Sequence, residues 1–386
     1  MWLQAPPAVA EGPLPEGPTG RIDRTAVAAR HFIVATANPL ATAAGYEILK
    51  AGGSAADAVV AVQLVLGLVE PQSSGLGGGA FLLYHDAASG RAVAFDGRET
   101  APLAATPERF LDATGRPLAF YDAVVGGRSV GVPGTPRLLE AVHRRYGRLP
   151  WARLFAPAIE LATRGFAVSP RLHGLIAAET HFVQARARAY FLAPDGGAPP
   201  VGFVMKNPAY AATLRTLAQR GVDAFYTGAI ADDVVDTADH APRHPGDLTL
   251  RDLLRYRAIV RDPVCDGYRG YRICGMPPPS SGGIAVLQIL KMLEPYDVAS
   301  MGVESFWSVH FISEAERLAF ADRDAWIADP AFEPPPPGLL DARYLRERSR
   351  LIRTTLMLGH ALAGDPRHRL ALPPELAVAP DGAAEL

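Results

Sequence analysis

The stretch from residue 40 to residue 95 constrains the fold most, because its patterns place two helices, a glycine-rich loop and two strands in that order. Leu40–Lys50 is predicted to be a helix that ends at the pair Gly52-Gly53. Ser54 is a good N-cap for a second helix, Ala55–Leu68. The second helix is apolar on nearly every side, so we expect it to be buried.

The glycine-rich loop Gly75–Gly79 separates this helix from a predicted hairpin of Ala80–Tyr84 and Ala92–Phe95. With Ala80, the loop matches the loosest form of a dinucleotide-binding fingerprint, GxGxxA. That fingerprint lies after a strand and before a helix, so that a pyrophosphate meets the helix N-terminus. The order is reversed here. The loop is therefore predicted to serve close backbone packing, which glycine allows, and its N–H groups could also line a site.

Composition narrows the class of protein. Among 386 residues, 38 Lys and Arg face 40 Asp and Glu, a net charge of −2 that argues against a nucleic-acid partner. The most apolar stretch, Ala55–Val69, is shorter than the roughly 20 residues that span a bilayer. The N-terminus lacks the pattern of a signal peptide. We expect no membrane association and a cytoplasmic location, or a periplasmic or secreted one if a leader has been removed.

The domain organisation is predicted to be simple. Residues 1–30 are rich in proline and glycine and are predicted to form an irregular lead-in. From residue 31 to residue 386 we find no internal repeat and no clear linker, so one compact unit is predicted. The 37 glycines and 35 prolines of the chain indicate many tight turns.

Metal and cofactor sites are not predicted. Cys265 and Cys274 form no CxxC pair and have no cluster of histidines nearby, which argues against zinc. They could form one bridge, but inert thiols are the preferred interpretation. His240 and His244 are four residues apart, yet prolines beside them prevent a helix from holding both on one face. The region Tyr268–Cys274 alternates weakly and is predicted to be a strand.

Two loops carry the remaining chemical signals. Arg98 lies in the loop that follows the predicted strand ending at Phe95, and its planar fork of donors suits a carboxylate ligand, although it could instead pair with Asp96 or another acid. Residues 277–283, PPPSSGG, combine three prolines with Ser280 and Ser281, which favours helix capping and a rigid loop over a nucleophile. The residues by themselves indicate no catalytic constellation.

Several of these stretches together resemble the γ-glutamyltransferase (γ-glutamyl transpeptidase) family. They occur in the order of the family and cover roughly residues 31–350, and the ordered set is specific. The matching segments are NPLATAAGYEILKAGGSAADAVVA (38–61), VEPQSSGLGGGAFLL (69–83), FDGRETAP (95–102), GVPGTPRLLEAVHRRYGRLPWARLFAPAIELATRGFAVSP (131–170), FYTGAIADDVV (225–235), LTLRDLLRYRAIVRDPV (248–264), YRGYRICGMPPPSSGG (268–283) and EAERLAFADRDAWIADPAF (314–332).

The resemblance implies an α+β fold, the four-layer αββα sandwich of N-terminal-nucleophile hydrolases. Members are made as one precursor that cleaves itself into a large and a small chain, and the nucleophile is the threonine that begins the small chain. This sequence ends at about the end of the family's large chain, and we find no such threonine start. We therefore expect the heterodimer partner to supply the nucleophile and expect this chain to be inactive alone.

The resemblance also assigns residues. Arg98 occupies the position of the arginine that grips the α-carboxylate of the donor, and Glu99 matches a neighbour that could orient it. The loop Gly75–Gly79 and Ser280–Gly283 are then structural. Residues 239–247, rich in histidine and proline, look like an insertion. No catalytic residue and no metal ligand is assigned within this chain.

The main functional hypothesis is the large subunit of a γ-glutamyltransferase that acts on glutathione or related donors and needs no cofactor. A close alternative is a glutaryl or cephalosporin acylase on the same scaffold, since both acyl groups end in a carboxylate that Arg98 suits. A third hypothesis belongs to another class: an orphaned, non-catalytic fragment that acts as a binding protein. Its mark would be stability as a soluble monomer, despite apolar surface left uncovered.

Overall fold

A computed structural model describes residues 25–354 and 357–367 of the chain. Within that part, helices carry most of the ordered backbone, and the strands are short. The helices are α1 (Pro39–Lys50), α2 (Ala55–Val69), α3 (Phe120–Val124), α4 (Thr135–Tyr146), α5 (Trp151–Leu154), α6 (Ala156–Arg164), α7 (Pro170–Ala178), α8 (Ala185–Phe191), α9 (Pro208–Arg220), α10 (Asp223–Tyr226), α11 (Ala229–Asp239), α12 (Leu250–Arg255), α13 (Gly282–Leu293), α14 (Phe306–Trp326) and α15 (Ala342–Ser349). The strands are β1 (Ala80–Asp86), β2 (Arg91–Gly97), β3 (Phe166–Ala167), β4 (Val204–Met205), β5 (Ile259–Arg261), β6 (Val264–Tyr268) and β7 (Tyr271–Gly275), and short 3₁₀ turns span Gly127–Ser129 and Val298–Met301.

Contacts between residues divide the chain into two units. Among the described residues, the first unit comprises residues 25–80 together with Gly97–Ile259. Its core forms around α2, which packs against α1, α4 and α6. Among the side chains that fill this core, Val60 and Val65 on α2 are fully buried. Burial of this apolar area stabilises the unit by roughly 25 cal/mol per Å².

The second unit comprises Phe81–Asp96 and the described residues from Val260 onward. Its core lies between α13, α14 and α15, where Met292 and Leu318 are almost completely buried. The three-stranded sheet has the order β1-β2-β5, and β6 and β7 form an antiparallel hairpin. A buried ion pair joins Arg348 to Asp322 at 2.9 Å, and Asp322 also accepts a hydrogen bond from the Tyr344 hydroxyl.

The local predictions for the first helices are confirmed. The second helix begins at Ser54 with a complete capping box, in which Asp57 accepts a hydrogen bond from the Ser54 N–H at 2.7 Å. The strands β1 and β2 lie where the hairpin was predicted. At the proline-rich loop, the Ser280 hydroxyl accepts a hydrogen bond from the Gly282 N–H, whereas Ser281 makes no side-chain cap.

Two predictions were wrong, and both lie in one hairpin. Tyr268–Cys274 is not a single strand, because the chain reverses at Arg269 and Gly270, which both have positive φ. The reversal places Cys265 directly opposite Cys274, and the two form a disulfide rather than remaining inert thiols. The sequence missed the turn because Arg-Gly is not among the dipeptides that usually signal one.

The predicted lead-in lies mostly outside the described residues, which begin at residue 25; residues 25–30 have no regular structure. The single compact unit predicted after it stays a prediction. None of the described helices combines the length and apolar character needed to cross a bilayer.

Candidate active site

Arg98 lies at the first position after β2, where its backbone is fixed and its side chain is accessible. The Tyr256 hydroxyl donates a hydrogen bond to the Arg98 carbonyl at 2.7 Å. Tyr256 is buried and stacks in parallel on Tyr226, so this anchor is itself held in place. The Arg98 side chain is 63% exposed, with Nε 3.5 Å from Oε2 of Glu99. The structure thus presents the donor fork of Arg98 on an anchored segment.

The glycine loop before β1 packs against this segment. A Cβ on Gly79 would lie 2.5 Å from a Glu99 carboxylate oxygen and 2.7 Å from the Gly97 carbonyl, so the approach requires glycine. The carbonyl of Gly78 accepts hydrogen bonds from the N–H groups of Gly134 and the residue after it, at 2.9 and 3.1 Å. The loop therefore serves close packing, as predicted, and it packs directly beside Arg98.

Arg98 and Glu99 line a cavity of about 490 Å³, a size typical of small-molecule sites. Three arginines and one glutamate are the charged residues of its lining, so the cavity is cationic overall. The residues that line it are Gly77, Arg98, Glu99, Thr100, Ala101, Pro102, Arg109, Phe110, Arg128, Ser129, Val130 and Gly131. A cationic cavity of this kind suits a ligand with a carboxylate group.

The sequence did not single out Arg109 or Arg128. Arg109 is largely buried and donates two hydrogen bonds to Asp247, at 2.7 and 2.6 Å, in the bidentate geometry of strong ion pairs. The hydrogen bonds from Arg109 hold the pKa of the Asp247 carboxyl below its usual value. Its Nε also donates to the Arg128 carbonyl at 2.8 Å. The Arg109 guanidinium is therefore already occupied by hydrogen bonds within the protein, and one of them positions the backbone of Arg128.

Residues 239–247, which the sequence marked as an insertion, account for this arrangement. Besides Asp247, the segment contributes the His244 carbonyl, which accepts a hydrogen bond from the Arg128 N–H at 2.8 Å. The unusual composition of residues 239–247 was therefore a signal in the sequence. It did not show which residues the segment would contact.

Other sites that the sequence raised are not formed. His240 is the C-cap of α11 and His244 lies beyond the helix, so no helix holds both, as the prolines predicted. Across residues 25–354 and 357–367, no group of three or more His, Cys, Asp or Glu side chains is placed to hold a metal ion. Asp96 forms an ion pair with Arg261 at 2.8 Å, and the acid that lies beside the Arg98 guanidinium is Glu99.

Comparison with solved structures defines the class of protein. The chain is 31% identical to the Helicobacter pylori gamma-glutamyltranspeptidase, with a TM-score of 0.84 over 91% of this chain and 100% of that one. A cephalosporin acylase from Bacillus halodurans is 32% identical, with a TM-score of 0.74 over 86% of this chain and 63% of that one. The predicted α+β class, with the N-terminal-nucleophile hydrolase fold, is confirmed.

Residues 41–369 match the gamma-glutamyltranspeptidase family, and the chain belongs to that family. It is 36% identical over 335 residues to the glutathione hydrolase proenzyme of Bacillus subtilis (strain 168), covering 86% of this chain and 57% of that protein. It is 39% identical over 327 residues to the acylase ACY 1 proenzyme of Pseudomonas sp. (strain SE83), covering 83% and 58%. The chain thus spans somewhat more than half of the length of these curated relatives.

Proposed function

We propose that this chain is the large subunit of a γ-glutamyltransferase, which transfers the γ-glutamyl group of glutathione or a related donor to water or to an amino acid. The observation that carries the proposal is the position of Arg98. Its backbone is anchored by Tyr256, and its accessible guanidinium lines a cationic cavity. A γ-glutamyl donor has an α-carboxylate that this fork binds in bidentate fashion. Glu99 orients the fork from one side.

The proposed reaction passes through an acyl-enzyme. The hydroxyl of a threonine that begins a separate small subunit attacks the γ-carbonyl carbon of the donor, and the free α-amine of that threonine accepts the hydroxyl proton. The C–N bond breaks, and the amine leaves with a proton. Water or an amino acid then attacks the ester, which releases glutamate or a new γ-glutamyl compound. In this scheme Arg98 holds the acyl group in place so that the attack becomes effectively unimolecular.

The alternative within the scaffold is an acylase for glutaryl groups or cephalosporins. Acylases are among the similar proteins, and a glutaryl group places a carboxylate on Arg98 in the same way. The two acyl groups differ only in the α-amine. The third hypothesis, a non-catalytic fragment that acts as a binding protein, stays open until a second chain is found.

The first experiment is to express the native locus, purify the protein that contains this chain, and sequence the N-terminus of every polypeptide that co-purifies. We expect a smaller partner that begins with threonine. Its hydrolysis of γ-glutamyl-p-nitroanilide is then compared with that of glutaryl-p-nitroanilide, which lacks only the α-amine. Faster hydrolysis of the glutaryl compound would favour the acylase. A chain that purifies alone as a stable monomer would contradict both enzymatic proposals.

The cellular location is a separate proposal. The sequence analysis gave the cytoplasm as the expectation, with the periplasm or secretion as the alternative. The pairing of Cys265 with Cys274 favours the alternative, because disulfides persist in oxidising compartments and are rare in the cytoplasm. Fractionation of the native host, with thiol labelling of the protein recovered, tests it: unlabelled cysteines in an extracytoplasmic fraction are expected.

A further inference from the structure

Arg128 is the cationic residue of the cavity that the proposed function leaves without a role. It belongs to the 3₁₀ turn Gly127–Ser129 and is half-buried. Within the described part of the chain, no residue accepts a hydrogen bond from its guanidinium. By contrast, Glu99 faces Arg98, and Asp247 holds Arg109. A charge that is partly removed from water and lacks a protein partner is suited to an anionic ligand.

The backbone of Arg128 is held from both sides. Its N–H donates to the His244 carbonyl, and its carbonyl accepts from Arg109, each at 2.8 Å. The segment 239–247 also closes tightly on the turn, since a Cβ on Gly246 would lie 2.7 Å from the Gly127 carbonyl. Several tertiary contacts therefore fix the backbone position of Arg128. A binding residue that is held in place before its ligand arrives is preorganised in this way.

Arg128 borders a second cavity besides the one that contains Arg98. Arg128 lines the cavity of about 490 Å³ that contains Arg98, and it also lines a neighbouring cavity of about 230 Å³. The second cavity is bounded by Arg109 and Asp247, which neutralise each other. Its remaining charge is that of Arg128. A substrate held by Arg98 thus has room for a further group next to a second guanidinium.

The chemistry of the substrate decides which group this is. Arg98 takes the α-carboxylate of a γ-glutamyl donor, and the α-ammonium beside that carboxylate would be repelled by a second guanidinium. The remaining anion of a γ-glutamyl amino acid or peptide is the carboxylate on the amine side of the scissile amide. The amine side is also where an acceptor amino acid enters.

We propose that Arg128 binds this amine-side carboxylate and thereby selects γ-glutamyl amino acids and peptides over uncharged γ-glutamyl amides. The proposal rests on the proposed function and assigns to Arg128 a role in specificity rather than in the bond-making steps. The same contact serves the leaving amine and the acceptor, because both have a carboxylate at that position.

A matched pair of donors tests the proposal. γ-Glutamylalanine and γ-glutamylalaninamide differ only in the charge of the amine-side group, and glutamate release gives kcat/KM for each with the assembled enzyme from the native locus. We expect the native enzyme to prefer the carboxylate about tenfold or more, the worth of one charge-assisted hydrogen-bonded contact. Arg128→Gln should lower that preference about tenfold, and Arg128→Lys should retain part of it.

The controls separate a specific effect from misfolding and from failure of the proposed function. Arg186→Gln removes an exposed arginine that lies outside both cavities, and it should leave the preference unchanged. The Tm of each variant is measured alongside. Equal rates for the two donors with native enzyme, or an unchanged preference in a folded Arg128→Gln, would overturn the inference alone. No hydrolysis of γ-glutamyl-p-nitroanilide by the native enzyme would overturn the proposed function and this inference with it.

Discussion

The two sides of the cationic cavity are built in different ways. On the Arg98 side, a strand end and the adjacent residue Glu99 set the position of the guanidinium, and one distant residue, Tyr256, anchors the backbone. On the Arg128 side, Arg109 holds the backbone from 19 positions away, His244 holds it from more than 100 positions away, and Asp247, which holds Arg109, is 138 positions from that residue. The comparison teaches that the position of Arg98 follows largely from its neighbours in sequence, whereas the position of Arg128 depends on tertiary contacts.

The largest effect is expected from Arg98→Lys in the assembled enzyme. A point charge replaces the bidentate fork, and the loss of about 2–3 kcal/mol corresponds to a rise in KM of roughly 100-fold for γ-glutamyl-p-nitroanilide. The value of kcat should change much less, because the contact to the α-carboxylate is made equally in the ground state and the transition state. Steady-state kinetics measure both, with Arg186→Lys as the matched control. An unchanged KM would show that Arg98 does not bind the substrate, and the comparison between the two sides of the cavity would no longer hold.

Asp247→Asn tests the other side of the cavity. The change weakens the hydrogen bonds between Asp247 and Arg109. Arg109 is then held less firmly, and so is the Arg128 carbonyl that accepts its hydrogen bond. We expect the preference for γ-glutamylalanine over its amide to fall about fivefold, a loss of roughly 1 kcal/mol. The KM for γ-glutamyl-p-nitroanilide should change less than the preference does. If that KM rises more, the two sides are not independent.

The same ion pair predicts a pH dependence of stability. Because hydrogen bonds from Arg109 lower the pKa of Asp247 below its ordinary value of 3.8, the carboxylate stabilises the folded protein above that value. This stabilisation is lost as the pH falls through the lowered pKa. The difference in Tm between the native enzyme and Asp247→Asn should therefore be largest near neutral pH and shrink below pH 3.8. A difference that is constant with pH would contradict the prediction.

Tyr256→Phe is expected to have a smaller effect on the Arg98 side. It removes the hydrogen bond to the Arg98 carbonyl but keeps the ring that stacks on Tyr226. One lost hydrogen bond of about 1 kcal/mol should raise the KM for γ-glutamyl-p-nitroanilide a few-fold. The preference between the alanine and alaninamide donors should stay constant, and a shift in it would show that the anchor serves both sides.

The smallest effect on substrate binding is expected from the double change Cys265→Ser and Cys274→Ser. The hairpin β6–β7 contributes no residue to the lining of the cavity, so the KM should stay within about twofold of the native value. Stability should fall by roughly 2–3 kcal/mol, the loop-closure estimate for a bridge of this length. Thermal unfolding and kinetics measured together check both parts. A large change in KM with intact stability would place the hairpin in the site.

Much of the fold was predictable because its signals are local. A capping box, a pair of glycines and a hairpin turn act within a few residues, so Ser54 and the helices on either side of it were placed correctly from sequence. The pairing of Cys265 with Cys274 was missed because it depends on a reversal at Arg269-Gly270 that the residue types do not announce. Arg98 was assigned by the ordered family motifs, since its position after a strand was also compatible with a surface ion pair.

By itself, the sequence determined the α+β class, the first helices and hairpin, and Arg98 as the candidate carboxylate-binding residue. Only the tertiary structure decided that Arg98 and Arg128 line one cavity, that Arg109 is held by Asp247, and that the 239–247 segment anchors the backbone of Arg128. The physical reason is distance along the chain. Helix caps and turns are stabilised by neighbours in sequence, whereas an ion pair between residues 109 and 247 exists only after the intervening elements have packed.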